Sequence, residues 1–313
     1  MRLFTAHNAH SLYREQLSAL ITEGENVHVR GKDTKELLNV ITEIRYPEQR
    51  VHIVPGREWN PFLALSECLW LLAERNDVAT LYPYNKRILE YSDDGKTLYG
   101  AYGYRIKDQI EPLIKRLQRD SNDRRAVLSI WRPEDLTANT KDAPCNDVIM
   151  FKLRNNELHM TVFCRSNDLH FGLYAVNLPV FSFLQEYIAA RLNVAMGTQT
   201  HISNSLHIYT KGPGAAITER MLEHIDKELP PIPWGNKVWD RWKLPPHPEV
   251  VELCSKALEH RITCPELPFL EFASDFLELY RLCKRRYAPT NLMRCRHYGK
   301  YPDWITAAEE FAN

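Results

Sequence analysis

The chain has 313 residues, 44% apolar and 11% aromatic, with 40 basic and 40 acidic side chains. That length supports a sizeable core without disulfide or metal staples, and the charge balance gives no overall field for a nucleic acid or an anionic membrane. No basic stretch leads into a long apolar one at the start, no run approaches the ~18 apolar residues of a membrane span, and seven cysteines, an odd number, suit reduced thiols in a cytoplasm.

Leu12, Leu17, Leu20 and Ile21 recur at helical spacing over 11–24, with Gly24 as the stop. Short β-type runs follow: Val27 to Arg30, Leu37 to Ile44, and Val51 to Val54. Pro61 to Ala73 predicts a helix apolar around most of its circumference, hence buried, with Glu67 inside it. Tyr99 to Arg105 reads as a Gly/Tyr turn leading into an amphipathic helix over 106–119. Strands are predicted at 126–131, 148–153 and 157–163, the last two joined by the turn Arg154-Asn155-Asn156. A long buried helix spans 178–192, with Pro179 in its first turn, and Thr198 to Tyr209 alternates as a strand. Two proline clusters, at 229–234 and 244–248, flank a connector whose Trp234, Trp239 and Trp242 read as packing anchors. Helices are expected near 249–260 and 267–285. The fold class is α+β: a large mixed sheet with a long buried helix against it, over residues 1–228, then a Pro/Trp-rich connector and helical extension over 229–313.

The run Ala143-Pro144-Cys145-Asn146-Asp147 is the best place in the chain for a nucleophile. A thiolate is the reactive form of cysteine, and a guanidinium eases its formation. Arg165-Ser166, twenty positions on, is the candidate to return to Cys145 and hold an anion. Arg30 beside Gly31 is a further candidate anion ligand. Arg124-Arg125 is either a solvated pair or a second phosphate grip. Glu67 is either a network carboxylate or a buried acid with a raised pKa that relays protons. His207 and Tyr209 share one face of a strand, as core residues or as donors to a sugar hydroxyl. The amide of Asn177 suits the O4 and N3–H edge of uracil. The remaining cysteines read as small buried side chains, and Cys295-Arg296-His297 alone does not make a metal site.

In order along the chain, Arg30-Gly31, Ser66-Glu67-Cys68-Leu69-Trp70, Tyr102-Gly103, Arg124-Arg125, Pro144-Cys145, Arg165-Ser166-x-Asp168, Gly172…Asn177 and His207-x-Tyr209 together resemble the thymidylate synthase family of pyrimidine-nucleotide C5 transferases. The resemblance runs from about Arg30 to Tyr209. It implies that Cys145 adds to pyrimidine C6, that Arg30, Arg165 and Ser166 hold the phosphate, and that Arg124 and Arg125 reach the partner's phosphate across a homodimer. It further implies that Asn177 reads the base, His207 and Tyr209 hold the ribose, Glu67 and Tyr102 move protons, and Asp168 contacts the cosubstrate 5,10-methylenetetrahydrofolate. No metal is implied.

Several positions depart from the common synthases. Asn146 stands for histidine, Cys164 for glutamine and Ser205 for aspartate. Gly172 to Asn177 is one residue longer, so Val176 and Asn177 both compete for the base-reading place. The folate-walling tryptophans are absent from Ile88-Leu89-Glu90-Tyr91, and Glu309 to Asn313 does not resemble the closing tail. A site open to water yields a hydroxymethyl group, whereas a dry one yields methyl. The expectation is therefore a hydroxymethylase acting on dUMP or another pyrimidine monophosphate. A thymidylate synthase is the alternative, and a non-catalytic nucleotide-binding homologue a further one.

Overall fold

The structure, a computed structural model, describes residues 1–240, 244–284 and 286–312. Trp242, Arg285 at the end of the predicted helix over 267–285, and Asn313 lie outside them. Among the described residues there are eight strands: β1 (Arg2–Ala6), β2 (Glu25–Val29), β3 (Lys32–Ile44), β4 (Val127–Ser129), β5 (Asn146–Arg154), β6 (Glu157–Cys164), β7 (Asn167–Asp168) and β8 (Ala195–Tyr209). They form one mixed sheet in the order β1-β3-β8-β6-β5-β4, with β2 also on β3 and β7 also on β8. The helices are α1 (Ala9–Glu23), α2 (Pro61–Leu72), α3 (Val78–Leu81), α4 (Ile88–Tyr91), α5 (Tyr102–Arg119), α6 (Leu178–Leu192), α7 (Pro213–Glu223), α8 (His247–Glu259), α9 (Pro268–Cys283), α10 (Pro289–Leu292) and α11 (Pro302–Ala312). A π-helical segment covers Leu169–Asn177.

Local chemistry starts and stops these elements. Asn60 caps α2 by accepting from the amides of Phe62 and Leu63, each at 3.1 Å, and Pro61 fills the first turn. Arg30 and Gly31 form a two-residue loop between β2 and β3, both at positive φ (46° and 76°), as a tight hairpin of this hand requires. In β5, Asn146 faces Cys164 and Val148 faces Phe163, so Asp147 is an extra residue two positions after Cys145. Such a bulge bends a strand and re-aims its neighbours.

The predicted strand at Val51–Val54 does not form. The segment is buried but outside the sheet. Its Ile53 amide donates to His10 Nδ1 at 3.2 Å, so a side chain replaces a ladder partner. The Gly/Tyr turn is also revised, because α5 already begins at Tyr102. Gly103 is there for contact: a Cβ would lie 2.1 Å from the Leu71 carbonyl oxygen, so glycine lets α5 lie against α2. Helices α7 and α11 were not anticipated.

Buried residues of α6 cover nearly its whole circumference, as expected. Its Glu186 is paired with Arg50, both almost wholly buried, and accepts from the Val238 amide at 2.7 Å. The C-terminal helices share a core with α2 and α6: Phe62 stacks on Phe276 (4.2 Å between ring centres) and Tyr280 (4.6 Å), and Trp304 lies 6.0 Å from Trp59. Trp239 is buried and Trp234 packs at the edge of this core. No helix among the described residues is long and apolar enough to cross a membrane.

Candidate active site

Strand β8 organises the candidate site. Its residue His207 lies between Glu36 of β3 and Asp168 of β7, which face it from either side. Burial lowers the pKa of His207, and the charges of Asp168 and Glu36 oppose that shift. Tyr209 follows on the same face, its ring edge-on to His207 at 5.4 Å. Asp168 caps the π-helical segment by accepting from the amides of His170 (2.8 Å) and Phe171 (3.4 Å). Burial nevertheless raises its pKa.

Cys145 precedes β5, and Arg165 follows β6, so strand pairing brings them together. The Arg165 amide donates to the Cys145 carbonyl at 3.0 Å. The guanidinium returns over the same loop: Nε donates to Pro144 O at 2.8 Å, Nη2 donates to Ala143 O at 3.0 Å, and Nη2 stands 4.0 Å from Cys145 Sγ. Nη1 donates to none of the described residues. Burial raises the thiol pKa; Arg165 and Arg30 pull it down, while Asp142 and Asp147 push it up. Arg165 thus eases thiolate formation as expected, but burial outweighs it. Cys164 lies within hydrogen-bonding distance of the carbonyls of Cys145 (3.0 Å) and Ser166 (3.1 Å), and burial raises its pKa strongly. It is a structural thiol.

Glu67, on α2, is pushed up to about 8 by burial and by the charge of Asp142. Tyr102, at the start of α5, is raised well above its ordinary value by burial, then by Cys145 and Cys164, with the Asn146 side chain opposing. These two and Cys145 therefore share one electrostatic neighbourhood.

Hydrogen bonds distinguish Asn177 from Val176. Asn177 is buried, its Oδ1 accepting from Asn146 Nδ2 and its Nδ2 donating to Asn167 Oδ1, both at 3.2 Å. Asn167 Nδ2 donates in turn to Ser203 Oγ at 3.0 Å. Val176 instead packs against the main core. The π-helical winding, in which Leu178 N reaches Leu173 O, takes up an added residue between Gly172 and Asn177. Gly172 itself makes room, since a Cβ would lie 2.9 Å from Asn167 Oδ1.

Arg30 is exposed at its hairpin, and its charge reaches Cys145, His207 and Tyr209. Ser166 follows Arg165 in the same turn. Arg124 and Arg125 do not join the cleft of their own chain. Both are exposed before β4, and Arg125 is paired with Asp123 at 2.9 Å. Tyr91 and Phe171 expose their rings beside Asp168, with Arg87 over Phe171 at 5.5 Å. This acceptor beside two exposed rings suits the N–H edge of a flat heterocycle.

Asn146, Asn167, Ser203 and Asp142 were missed as partners. The first three come from β5, β7 and β8, so no local pattern joins them. Asp142, three residues before Cys145, carried a signal in the polar run Thr140-Lys141-Asp142. Among the described residues no group of three or more His, Cys, Asp or Glu could hold a metal ion.

A sequence model of the thymidylate synthase family matches residues 11–244. Deoxyuridylate hydroxymethyltransferase of Bacillus phage SP01 is 38% identical over 236 residues, covering 70% of this chain and 62% of its own length. The enzyme of that name from Pseudomonas phage M6 is 36% identical over 217 residues, covering 67% and 62%. The chain thus spans about three fifths of the length of these relatives. The thermostable thymidylate synthase A of Bacillus subtilis superposes with a TM-score of 0.62 at 21% identity, over 76% of this chain and 92% of the other, a likeness of fold.

Proposed function

We propose, on the premise that this chain belongs to the thymidylate synthase family, that it is a hydroxymethylase converting dUMP to 5-hydroxymethyl-dUMP. The observation that carries the choice of product is the 38% identity to a phage deoxyuridylate hydroxymethyltransferase. The order of residues around Cys145 supports the shared first steps. 5,10-Methylenetetrahydrofolate supplies the one-carbon unit at the formaldehyde oxidation level. The residues of this chain do the rest.

Cys145 adds through Sγ to C6 of the pyrimidine, which makes C5 a carbon nucleophile. Arg165, through the free Nη1, binds the 5′-phosphate with Ser166 and Arg30. Asn177 presents one acceptor and one donor to N3–H and O4. His207 and Tyr209 hold the ribose, and Asp168 beside Tyr91 and Phe171 orients the pterin. Glu67 keeps its proton near neutral pH and relays it to the base, while Tyr102 assists removal of the C5 proton.

The chain acts as a homodimer in this reading. Leu3, Ile41, Ile202, Phe163 and Val148 are paired in one row across five strands, all of them at least partly exposed. Such an apolar row on a sheet fits a second copy. Arg124 and Arg125 stand beside the edge strand β4, from which they extend to the partner's phosphate.

The test is product analysis with methylenetetrahydrofolate and dUMP, dCMP, UMP or CMP. The expected result is 5-hydroxymethyl-dUMP with tetrahydrofolate intact. Dihydrofolate release, seen as rising absorbance, identifies a thymidylate synthase instead, and no product from any nucleotide sinks both. Cys145→Ser is expected to abolish tritium release from C5-labelled dUMP; exchange at the wild-type rate would remove Cys145 from the reaction.

A further inference from the structure

One carboxylate of the cleft has no part in the proposed steps. Asp142 stands three residues before Cys145 and is held from several directions. Its Oδ2 accepts from the Gly100 amide at 2.7 Å. Gly100 must be glycine for this approach, since a Cβ would lie 2.5 Å from the Asp142 carbonyl oxygen. The residues on either side are tied down as well: Thr140 Oγ1 donates to Asp93 at 2.6 Å, the Lys141 amide donates to Asp93 at 3.0 Å, and Arg165 grips the carbonyls of Ala143 and Pro144. Asp142 Oδ1 accepts from none of the described residues. The titratable groups it meets are Glu67, Tyr102, Cys145, Asp93 and Arg105.

We infer that Asp142 is the base that activates the water adding to the transferred carbon, so that this residue selects hydroxymethyl over methyl. The inference rests on the hydroxymethylase reading and assigns its last step. After one-carbon transfer and loss of the C5 proton, the nucleotide carries an exocyclic methylene at C5 with Cys145 still on C6. Water adds through oxygen to the methylene carbon, and one of its O–H bonds breaks with the proton passing to the Asp142 carboxylate. The C5-to-methylene π pair moves onto the C4 carbonyl oxygen. Its return forms the C5–C6 double bond and expels Cys145 as thiolate. Asp142 then gives its proton to solvent. No oxidant or reductant is consumed, and tetrahydrofolate leaves unchanged.

The two carboxylates are suited to different tasks. Burial raises Asp142 to about 6, opposed by the Gly100 amide, whereas Glu67 rises to about 8. At neutral pH the first is mostly ionised and the second mostly protonated, a base beside an acid.

The experiment compares wild type with Asp142→Asn, which keeps an acceptor for Gly100, and with Asp142→Ser, using C5-tritiated dUMP, methylenetetrahydrofolate and added 2-mercaptoethanol. Tritium release counts turnovers up to the methylene adduct, and the thiol traps that adduct without needing Asp142. The expected result is tritium release near the wild-type rate in at least one variant, with hydroxymethyl product per tritium lowered about 100-fold and thiomethyl product in its place. This ratio does not depend on the amount of folded enzyme. A wild-type ratio in either variant overturns the assignment while the hydroxymethylase reading stands. Loss of tritium release in both variants overturns it too, because Asp142 would then act before the adduct. A wild type that makes thymidylate overturns the reading and the assignment with it.

Discussion

The side-chain amides of Asn146 and Asn177 are joined by a hydrogen bond of 3.2 Å, with Asn146 as donor. Together with Asn177 to Asn167 and Asn167 to Ser203, this makes a relay in which every donor points the same way. Each amide has two donor hydrogens and two acceptor lone pairs. The relay uses one of each on Asn177 and leaves one acceptor and one donor, which in the proposed function meet the base.

Asn177→Asp removes the donor to O4 and supplies a second acceptor for an amino group. The Asn167 amide can turn over, because the Ser203 hydroxyl both donates and accepts. The expected outcome is a fall of about 100-fold or more in the ratio of kcat/KM for dUMP to that for dCMP. Steady-state kinetics with both nucleotides measures it; an unchanged ratio would separate Asn177 from base choice.

Asn167→Ala touches no nucleotide in this reading. It leaves the buried Asn177 Nδ2 and Ser203 Oγ short of a partner, which costs about 1–3 kcal/mol. Urea denaturation reports that loss. The freed Asn177 amide can also turn over, so discrimination between dUMP and dCMP should fall in the same variant. Lower stability with discrimination intact would mean that the relay supports packing alone.

Glu67 has a folded pKa of about 8 against an ordinary 4.5. Between these values the folded state binds more protons than the unfolded one, so this group's contribution to stability falls as pH rises. Glu67→Gln removes the effect. The variant is expected to be more stable than wild type at pH 8 by about 1–3 kcal/mol, with the difference shrinking towards pH 5. Thermal melts of both proteins across that range check the sign, and a difference that grows on acidification would contradict it.

Trp304 on α11 is 1% exposed within the core that also holds Phe62 of α2. Trp304→Ala should cost about 3–5 kcal/mol, and a single unfolding transition should move as a whole. A separate early transition, with the remainder unshifted, would make the C-terminal helices an independent unit.

Most of the regular structure was legible because it depends on local pattern. The all-round apolar helix at 178–192 and the hairpin at Arg154-Asn155-Asn156 need only periodicity and turn chemistry. Val51–Val54 was misread because its alternation reflects burial against side chains such as His10 rather than a ladder. Gly103 was misread because contact with Leu71, not turn geometry, demands the missing side chain. In the cleft, Cys145 and Arg165 were legible as a pair from ordered motifs. The balance of charge on the thiol was not, because it depends on burial and on Asp142 and Asp147. The Asn146-to-Ser203 relay needs four segments assembled in three dimensions before any of it exists.

The π-helical winding at 169–177 bears on how relatives should be compared. A wider helical turn stores one amino acid without displacing the helix beyond it, so residue counts between Gly172 and Asn177 are no guide to spatial equivalence. An alignment gap belongs inside this segment, ahead of Asn177. Placed after it, the gap would set a valine where the buried amide of Asn177 stands.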